Sequence, residues 1–481
     1  MPNIIYSLTF LLFYSSLYSQ NIKILEIEKS IDLLEINSEE FKQINRNLKI
    51  DTLRYKIYKN IFLPKVNLSL SIPSYNKSIN SITLPNGDNK FIEQSQTNSN
   101  SIITITQPIT LTGGDITVNS SINRIDNLSN KTSSYSSNWF NVTLNQPING
   151  FNQYKWYKKI NEAQFKKHKI DLLKSIENQK KIFIGDYFDA YINQYKIELT
   201  KRNIEITSNY LKETELLFEK GRILKTEVLK TKLYLNQLKF NLNTDILNHR
   251  IAINTIKNKL GFSENDSLIL VEPKKILKPE IDNSILRERM LKYSLNYDFE
   301  LDLIESAQKL AKIKSARGIQ FSLQTGYGLN SRAEFFNELY EIPSRKEFVN
   351  FGLTIPLINW KENSRLHEIQ KLSYDNLKSE RLIKEKELNI SLISYLNYFE
   401  SVYFEINSWK ENSEIAKLNT DISTQLLKTN RITINDFSQE LFKEEKLIID
   451  YYYSLKSLWE FKFTIRKNTL FDFFENIELY K

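Results

Sequence analysis

Few side chains in this chain have the types and spacing that catalysis or metal binding requires. The 481 residues include no cysteine, which excludes thiolate nucleophiles, thiolate metal ligands and disulfides. The three histidines, His168, His249 and His367, lie far apart in the sequence. We find no phosphate-binding loop, dinucleotide fingerprint, nucleophile elbow or histidine-based metal spacing. We therefore expect no enzymatic activity, no cofactor and no metal site.

Charged residues of both signs are interleaved along the chain. The 66 basic and 57 acidic residues give a formal net charge of +9. Acidic pairs such as Glu213 and Glu215 lie among lysines, as they do on the solvated face of a helix. No compact basic block suited to nucleic acid occurs, so we expect no nucleic-acid partner.

The chain contains a tandem duplication. The segment Phe140–Ile148 (FNVTLNQPI) resembles Val349–Leu357 (VNFGLTIPL), and Lys220–Ile223 (KGRI) resembles Thr429–Ile432 (TNRI). Both pairs are separated by 209 residues. Two landmarks at one offset indicate two copies of a single structural unit.

A third pair shows that the first copy is longer. Leu63–Leu70 resembles Ala316–Leu323 at an offset of 253 residues, so the first half carries 44 additional residues between its strands. That length suits one extra hairpin. Its expected parts are a strand at Ile102–Gln107, a turn at Thr112–Gly114 and a strand at Asp115–Ile125.

The segments beside the repeat prolines alternate with a period of two. In Val349–Ile355 every second residue is apolar, and small or uncharged polar residues lie between them; Phe140–Asn145 and Ile103–Thr106 follow the same pattern. Such strands place one set of side chains on each face of a sheet. An apolar face opposite an uncharged polar face is typical of a barrel wall between lipid and a wet lumen. A soluble β-sandwich, whose strands look the same, is the alternative.

Long helices are expected after each proline. Residues 151–219 contain no proline and one glycine, and residues 359–428 contain neither. Each would span roughly 100 Å at about 1.5 Å per residue. An apolar residue recurs at every seventh position from Ile176 to Phe218, which favours coiled-coil packing. Returning helices are expected to end near Leu260 and Arg466.

Each long helix is expected to end at a matched turn. Gly221 and Asn430 occupy equivalent positions, and these residue types most readily adopt the left-handed backbone found at helix C-termini. We predict that Thr226 and Asn435 cap the next helices. The first turns of those helices then hold the acidic residues Glu227 and Asp436, which the helix dipole favours.

The order of elements predicts a membrane channel protomer. An even number of strands returns the chain to its starting side, so all helices lie on one side of the sheet. Too few strands are present to close a barrel alone, so several copies must close it together. The extra hairpin could add two strands per copy to that barrel or fold outside it as a surface hairpin. The expected fold is mixed α and β, mainly α, with strands for a shared β-barrel continued by a helical coiled-coil tunnel. The expected divisions are a signal peptide at 1–19, a first repeat at 20–260, a linker at 261–283, a second repeat at 284–468 and a tail at 469–481.

The N-terminal segment resembles a secretory signal. Ile4–Tyr18 is nearly all apolar or hydroxylated, and the first charged residue is Lys23. This run is too short to span a bilayer as a helix and fits a signal-peptide core with cleavage after Ser19. A buried N-terminal helix is the alternative.

These features together resemble the TolC-like outer-membrane efflux family. The resembling stretches are the strand after Leu63, both strand–proline segments, the turns at Phe218–Leu229 and Leu427–Phe437, and the closing run Tyr451–Trp459. The resemblance implies a homotrimer in the outer membrane with a helical tunnel in the periplasm. It also implies a periplasmic adaptor (membrane fusion) protein and an inner-membrane transporter as partners, in tripartite efflux or type I secretion. A structural coiled-coil or adhesin-like surface protein is the alternative, which leaves the duplicated strand–proline–helix units unexplained.

The resemblance also assigns candidate site residues. It implies an acidic ring at the periplasmic aperture, where Asp436 and its first-repeat counterpart Glu227 match; a second acidic position of the family is Gln439 here. Helix N-terminus stabilisation is the simpler role for both acids. At the helix-turn tips, Arg222 and Arg431 follow Gly221 and Asn430, where they could contact the adaptor or cap helix carbonyls.

Aromatic residues lie close to the last strand of each half. Trp139, Phe140, Trp156 and Trp360 are candidates for an interfacial belt at the outer-membrane lipid boundary, or for packing at the junction of barrel and tunnel. Some family members carry a lipid-modified cysteine at the mature N-terminus; this chain has no cysteine, so we expect it to lack that anchor.

Overall fold

The computed structural model describes residues 22–479. The signal peptide expected at residues 1–19 lies outside them. The elements in chain order are β1 (Ile22–Leu25), α1 (Ile27–Asn37), α2 (Glu39–Asn60), β2 (Lys65–Thr83), β3 (Asn89–Ile109), β4 (Gly114–Asn127), β5 (Thr132–Pro147), α3 (Gln153–Glu219), α4 (Lys225–Leu260), β6 (Ser267–Leu270), α5 (Asn283–Met290), a π-helical turn (Leu291–Asn296), α6 (Tyr297–Arg317), β7 (Gln320–Ala333), a 3-10 turn (Phe336–Glu338), β8 (Ser344–Thr354), α7 (Glu362–Lys428), α8 (Ile434–Thr469), β9 (Phe471–Asp472) and β10 (Ile477–Glu478).

The helices confirm the duplication. α3 and α7 each have 67 residues, and α4 and α8 each have 36. The first residues of α3 and α7 are 209 positions apart, and so are their last residues; the same holds for α4 and α8. This is the offset read from the sequence. Both long helices lack proline, which would remove a helical hydrogen bond and clash with the preceding turn.

The chain divides into two compact units. One contains the described residues up to 46, together with 172–289 and 390–479. The other contains residues 47–171 and 290–389. The first is built from helices and two small sheets, and the second holds the large sheet.

The second unit contains a six-stranded antiparallel sheet in the order β2-β3-β4-β5-β7-β8. β2 and β7 begin, and β5 and β8 end, at the edge where helices α2, α6, α3 and α7 join the sheet. We call this the helix edge. β3 and β4 are the extra hairpin of the first repeat, and they pair within this one sheet. They are longer than the expected Ile102–Gln107 and Asp115–Ile125 segments.

The first unit has a buried core with interactions that the sequence pattern did not predict. β1 pairs in parallel with β6, which lies in the segment expected to be a linker. The buried Tyr187 hydroxyl lies within hydrogen-bond distance of two carbonyl oxygens, those of Leu25 (2.7 Å) and Val271 (2.9 Å), and donates its one hydrogen between them, which ties α3 to this small sheet. Near the C-terminus, the Arg466 guanidinium donates to the buried Glu177 carboxylate at 2.6 Å.

The predicted heptad stripe of α3 holds over only part of the first unit. Phe183 and Ala190 are fully buried, whereas Ile204 and Leu211 are half-buried. The deeply buried residues of that later stretch are instead Asn203, Thr207, Tyr210 and Thr214. Over this stretch the most buried positions therefore lie one residue before the predicted ones, as Asn203 does before Ile204 and Tyr210 before Leu211.

None of the helices among residues 22–479 combines the length and apolar character needed to cross a membrane.

Candidate functional site

Hydrogen-bonded rows across the sheet separate its two faces. Side chains of paired residues lie on the same face of a sheet. One row contains Val66, Ile105, Val118, Val142 and Tyr327, and it reaches Glu347 on the edge strand β8. The next row contains Asn67, Thr104, Asn119, Asn141, Gly328 and Lys346. One face is therefore largely apolar and the other largely polar and uncharged, as the alternation predicted.

The apolar face is the exposed one. Val66 is 65% exposed, Leu68 60% and Phe351 76%. Within the inner strand β5, Val142 on the apolar face is 38% exposed, whereas Asn141 and Thr143 on the polar face are each 8% exposed. A soluble protein rarely exposes an apolar patch of this extent, so the arrangement favours contact with lipid or another protein surface. It disfavours the soluble-sandwich alternative, in which the apolar face would be covered.

The polar face requires water. The side-chain oxygens of Asn98, Asn100, Asn123 and Asn141 are buried and find no hydrogen-bond partner among the described residues. All four residues lie on the polar face, and Asn100 is the cross-strand neighbour of Asn123. A buried amide oxygen left unpaired costs about 1–3 kcal/mol, whereas a bridging water satisfies it. This face is therefore suited to lining an aqueous lumen.

The aromatic candidates occupy two different levels of the sheet. Trp139 lies at a bulge in β5, where its Nε1 donates to Ser331 Oγ (3.1 Å) and its ring packs 5.4 Å from Tyr340. Phe140 is on the apolar face, 6.1 Å from the Tyr327 ring.

The other two tryptophans lie at the helix edge. Trp156 is in the first turn of α3, with the Lys159 ammonium 5.3 Å from its ring centroid. Trp360 precedes α7 and is 86% exposed. Between these two levels, β5 runs for eight residues from Phe140 to Pro147.

In the first unit, the two helix turns are built alike. Gly221 and Asn430 adopt left-handed backbone, with φ of +68° and +54°, as predicted. Arg222 N donates to Leu217 O at 2.8 Å, and Arg431 N donates to Leu426 O at 2.9 Å. These are the long bonds of a Schellman motif, which satisfies carbonyls at a helix end. Both arginine side chains are exposed.

The predicted N-caps, Thr226 and Asn435, are wrong. They lie inside α4 and α8, whose N-caps are Leu224 and Thr433. Thr433 forms a capping box: Asp436 N donates to Thr433 Oγ1 (3.2 Å), and Thr433 N donates to Asp436 Oδ2 (3.1 Å). An acid three residues after a threonine selects that threonine as the cap, because only this spacing lets both bonds form.

The structure brings the two candidate aperture acids to the same turn region. Glu227 Oε1 accepts a hydrogen bond from Ile434 N (3.1 Å), the first residue of α8. The acid of the first repeat thus satisfies a backbone donor in the second. The hydrogen bonds from Thr433 hold the pKa of Asp436 below its ordinary value, so Asp436 is ionised at neutral pH. Both carboxylates support helix starts while contributing negative charge at the turns.

Sequence reasoning missed a buried ion pair between α3 and α8. Arg202 Nη2 donates to Glu444 Oε2 at 2.7 Å, and Glu444 is 1% exposed. The available signal was the position of Glu444 in the apolar pattern of α8. It follows the buried Phe437 and Leu441 at helical spacing, where an acid requires a partner.

Comparisons with known proteins extend over nearly the whole chain. No protein-family model and no curated protein sequence matches it. Among solved structures, the CmeC outer membrane channel of Campylobacter jejuni has 14% identity and a TM-score of 0.63, over 95% of this chain and 87% of that one. The outer membrane protein VceC of Vibrio cholerae has 9% identity and a TM-score of 0.62, over 92% and 95%. The MtrE outer membrane channel of Neisseria gonorrhoeae has 11% identity and a TM-score of 0.61, over 92% and 88%. At these identities the likeness establishes a shared fold.

Proposed function

We propose that this chain, which has the fold of the TolC-like outer-membrane channels, is a protomer of an outer-membrane efflux channel. It would act as a passive conduit, with no catalytic step or cofactor of its own. The observation that carries the proposal is the sheet, whose apolar face is exposed and whose polar face is the more buried one in the inner strands. That arrangement suits a wall between lipid and water.

The sheet must be completed by other copies of the chain. Its outer strands, β2 and β8, each leave a row of backbone groups unpaired within the sheet, and such groups are not tolerated in hydrocarbon. β2 runs away from the helix edge and β8 runs towards it, so β8 of one copy can pair antiparallel with β2 of the next. Three copies, the number the resemblance implies, would give a barrel with three times six strands.

Six strands per copy match the width of four helices. Strands spaced about 4.8 Å apart and tilted about 40° each occupy about 6.3 Å of circumference, so six cover about 38 Å and four only about 25 Å. Four helices at about 10 Å spacing cover about 40 Å. The extra hairpin would thus make the barrel about as wide as the helical tunnel that continues it.

The helices would form a coiled-coil tunnel in the periplasm. The turns at Gly221 and Asn430 would meet a periplasmic adaptor, with Arg222 and Arg431 exposed for contact. An inner-membrane transporter would complete the system and decide whether small molecules or proteins are exported. Glu227 and Asp436 would line the aperture.

Electron microscopy of detergent-purified protein tests the proposal. We expect particles with threefold symmetry, and stepwise conductance when the same preparation is added to planar bilayers. A compact monomer without channel activity would exclude the proposed role.

A further inference from the structure

Positive charge is concentrated where helices join the large sheet. We define the basic collar as residues 52–65, 151–161, 309–318 and 358–371, which all belong to the second unit. These segments contain fourteen lysines and arginines against two glutamates, a net charge of +12. The whole chain has a net charge of +9, so the rest of it is slightly negative.

All four segments of the basic collar lie at the helix edge. Two of them lead into β2 and β7, and the other two follow β5 and β8. The collar therefore borders the exposed apolar face along one side. In a bilayer-spanning sheet, this border is the level of the lipid headgroups on the helix side.

A groove within the collar lies between α2 and α3. It has a volume of about 780 Å³ and is lined by aromatic residues, among them Tyr55 and the buried Tyr58. Its charged lining residues are the acid Glu162 and four cations, Lys59, Lys155, Lys158 and Lys159. All four lysines are exposed, and none forms an ion pair with a described residue. Lys59 lies 4.8 Å from the Tyr55 ring centroid. We call this the first groove.

The duplicated helices α6 and α7 form a second groove at the corresponding place. It has a volume of about 950 Å³ and its floor is largely aliphatic. Its charged lining residues are Lys314, Arg317, Lys371, Lys378 and the acid Asp375. The same combination of apolar floor and cationic rim thus occurs in both repeats, although individual lysines do not correspond.

We propose that both grooves bind the headgroups of anionic phospholipids in the leaflet on the helix side. This inference rests on the proposed membrane-spanning role of the sheet. Several ammonium groups around one pocket suit a phosphodiester, and Lys and Arg near an anionic membrane surface are attracted to it. The aromatic floor suits the glycerol and the first acyl carbons. Leu63 and Leu111 beside the first groove are 56% and 89% exposed, and would continue the apolar surface for the acyl chains.

The test compares lipid binding by matched variants of the full-length oligomer. The groove variant carries K59Q, K155Q, K158Q and K159Q. The control carries K212Q, K220Q, K225Q and K230Q, which remove equal charge from exposed positions around the α3–α4 turn. An arginine variant at the four groove positions keeps the charge. Native mass spectrometry counts the phosphatidylglycerol molecules retained from vesicles of phosphatidylethanolamine and phosphatidylglycerol.

We expect the groove variant to bind phosphatidylglycerol at least about tenfold more weakly, since each lysine near an anionic surface contributes about fivefold. The control and arginine variants should bind as the wild type does. Equal weakening in the groove and control variants would overturn the proposal, because net charge alone would then explain it. Displacement of the lipid by excess inorganic phosphate would also overturn it in favour of a simple anion site. The single variant K158Q, expected to bind about fivefold more weakly, provides the same comparison with minimal risk to folding.

Conductance separates this inference from the proposed function. The groove variant should still form channels in phosphatidylethanolamine bilayers. If the groove variant forms channels and still binds phosphatidylglycerol as the wild type does, the lipid site is overturned and the proposed function stands. A wild-type protein that forms no channel in any bilayer would overturn both.

Discussion

Adjacent residues on β4 allow the assignment of the two faces to be tested directly. Val118 lies between Ile105 and Val142 in an apolar row, and Asn119 lies between Thr104 and Asn141 in a polar row. The perturbation is a lysine at either position. Because both residues belong to the extra hairpin, the pair also tests whether that hairpin crosses the membrane.

The expected cost follows from the position of Val118. It is four residues from the start of β4, about 14 Å along the strand at about 3.4 Å per residue and about 10 Å in height at a tilt of about 40°. That is near the middle of an apolar band about 25 Å tall, where a lipid-facing lysine costs about 2–4 kcal/mol. We expect V118K to lower the folding equilibrium by about thirtyfold or more, at tenfold per 1.4 kcal/mol. N119K should cost less than about 1 kcal/mol because it faces water.

Urea titration of folding into lipid vesicles measures both costs, and the reversal potential of single channels measures charge selectivity. N119K should shift selectivity towards anions, since each copy adds a positive charge to the lumen. V118T, close to valine in shape, controls for loss of packing. Small and equal costs for both lysines would refute a lipid-facing apolar face. A larger cost for N119K than for V118K would show that the faces are assigned in reverse.

Three further predictions concern the helices. Combining D436N with E227Q should alter ion selectivity or block by multivalent cations in planar bilayers; unchanged conductance would leave these acids only their capping role. G221A should destabilise the protein by about 1–2 kcal/mol, the cost of a left-handed alanine, whereas N430G should be neutral or stabilising in thermal unfolding. Equal effects of the two substitutions would contradict the assignment of left-handed backbone at these turns. Burial, with a smaller contribution from Asp245, raises the pKa of Glu445 above its ordinary 4.5. Ionisation of Glu445 therefore lowers the stability of the folded protein as pH rises through the folded-state pKa. E445Q should be more stable than the wild type at neutral pH and should lose that advantage below the ordinary pKa of glutamate. If urea unfolding shows an advantage that does not depend on pH, burial of the charge is not its cause.

The helices and turns were predictable from sequence because their causes are local. The absence of proline over long stretches sets the lengths of α3 and α7, and the repeated landmarks set their equivalence. Gly221 and Asn430 adopt the left-handed backbone that their side chains tolerate. The strand alternation likewise predicted both faces of the sheet, because the period of two is a property of each strand alone.

The remaining features depend on contacts between distant segments. Ile22–Leu25 pairs in parallel with Ser267–Leu270. These two short strands are far apart in the sequence, so no hairpin turn between them indicates the pairing. The displaced seam of α3 and the ion pair of Arg202 with Glu444 arise from which helices pack together. Glu227 was recognised as a first-turn acid, but its bond to Ile434 depends on the other repeat.

The extra hairpin shows how such a sheet can widen without altering the helices. A single inserted strand would deliver the chain to the far side of the sheet, and α3 would then start away from the helix edge. A pair of strands returns the chain to that edge, and the 209-residue correspondence of the following helices is undisturbed. Both inserted strands must also continue the alternation of their neighbours. On β4, the apolar Val118 lies between Ile105 and Val142, and the polar Asn119 lies between Thr104 and Asn141. Widening in this fold is therefore restricted to hairpins whose residues match the register on both sides, because a shift by one residue would turn polar side chains towards lipid.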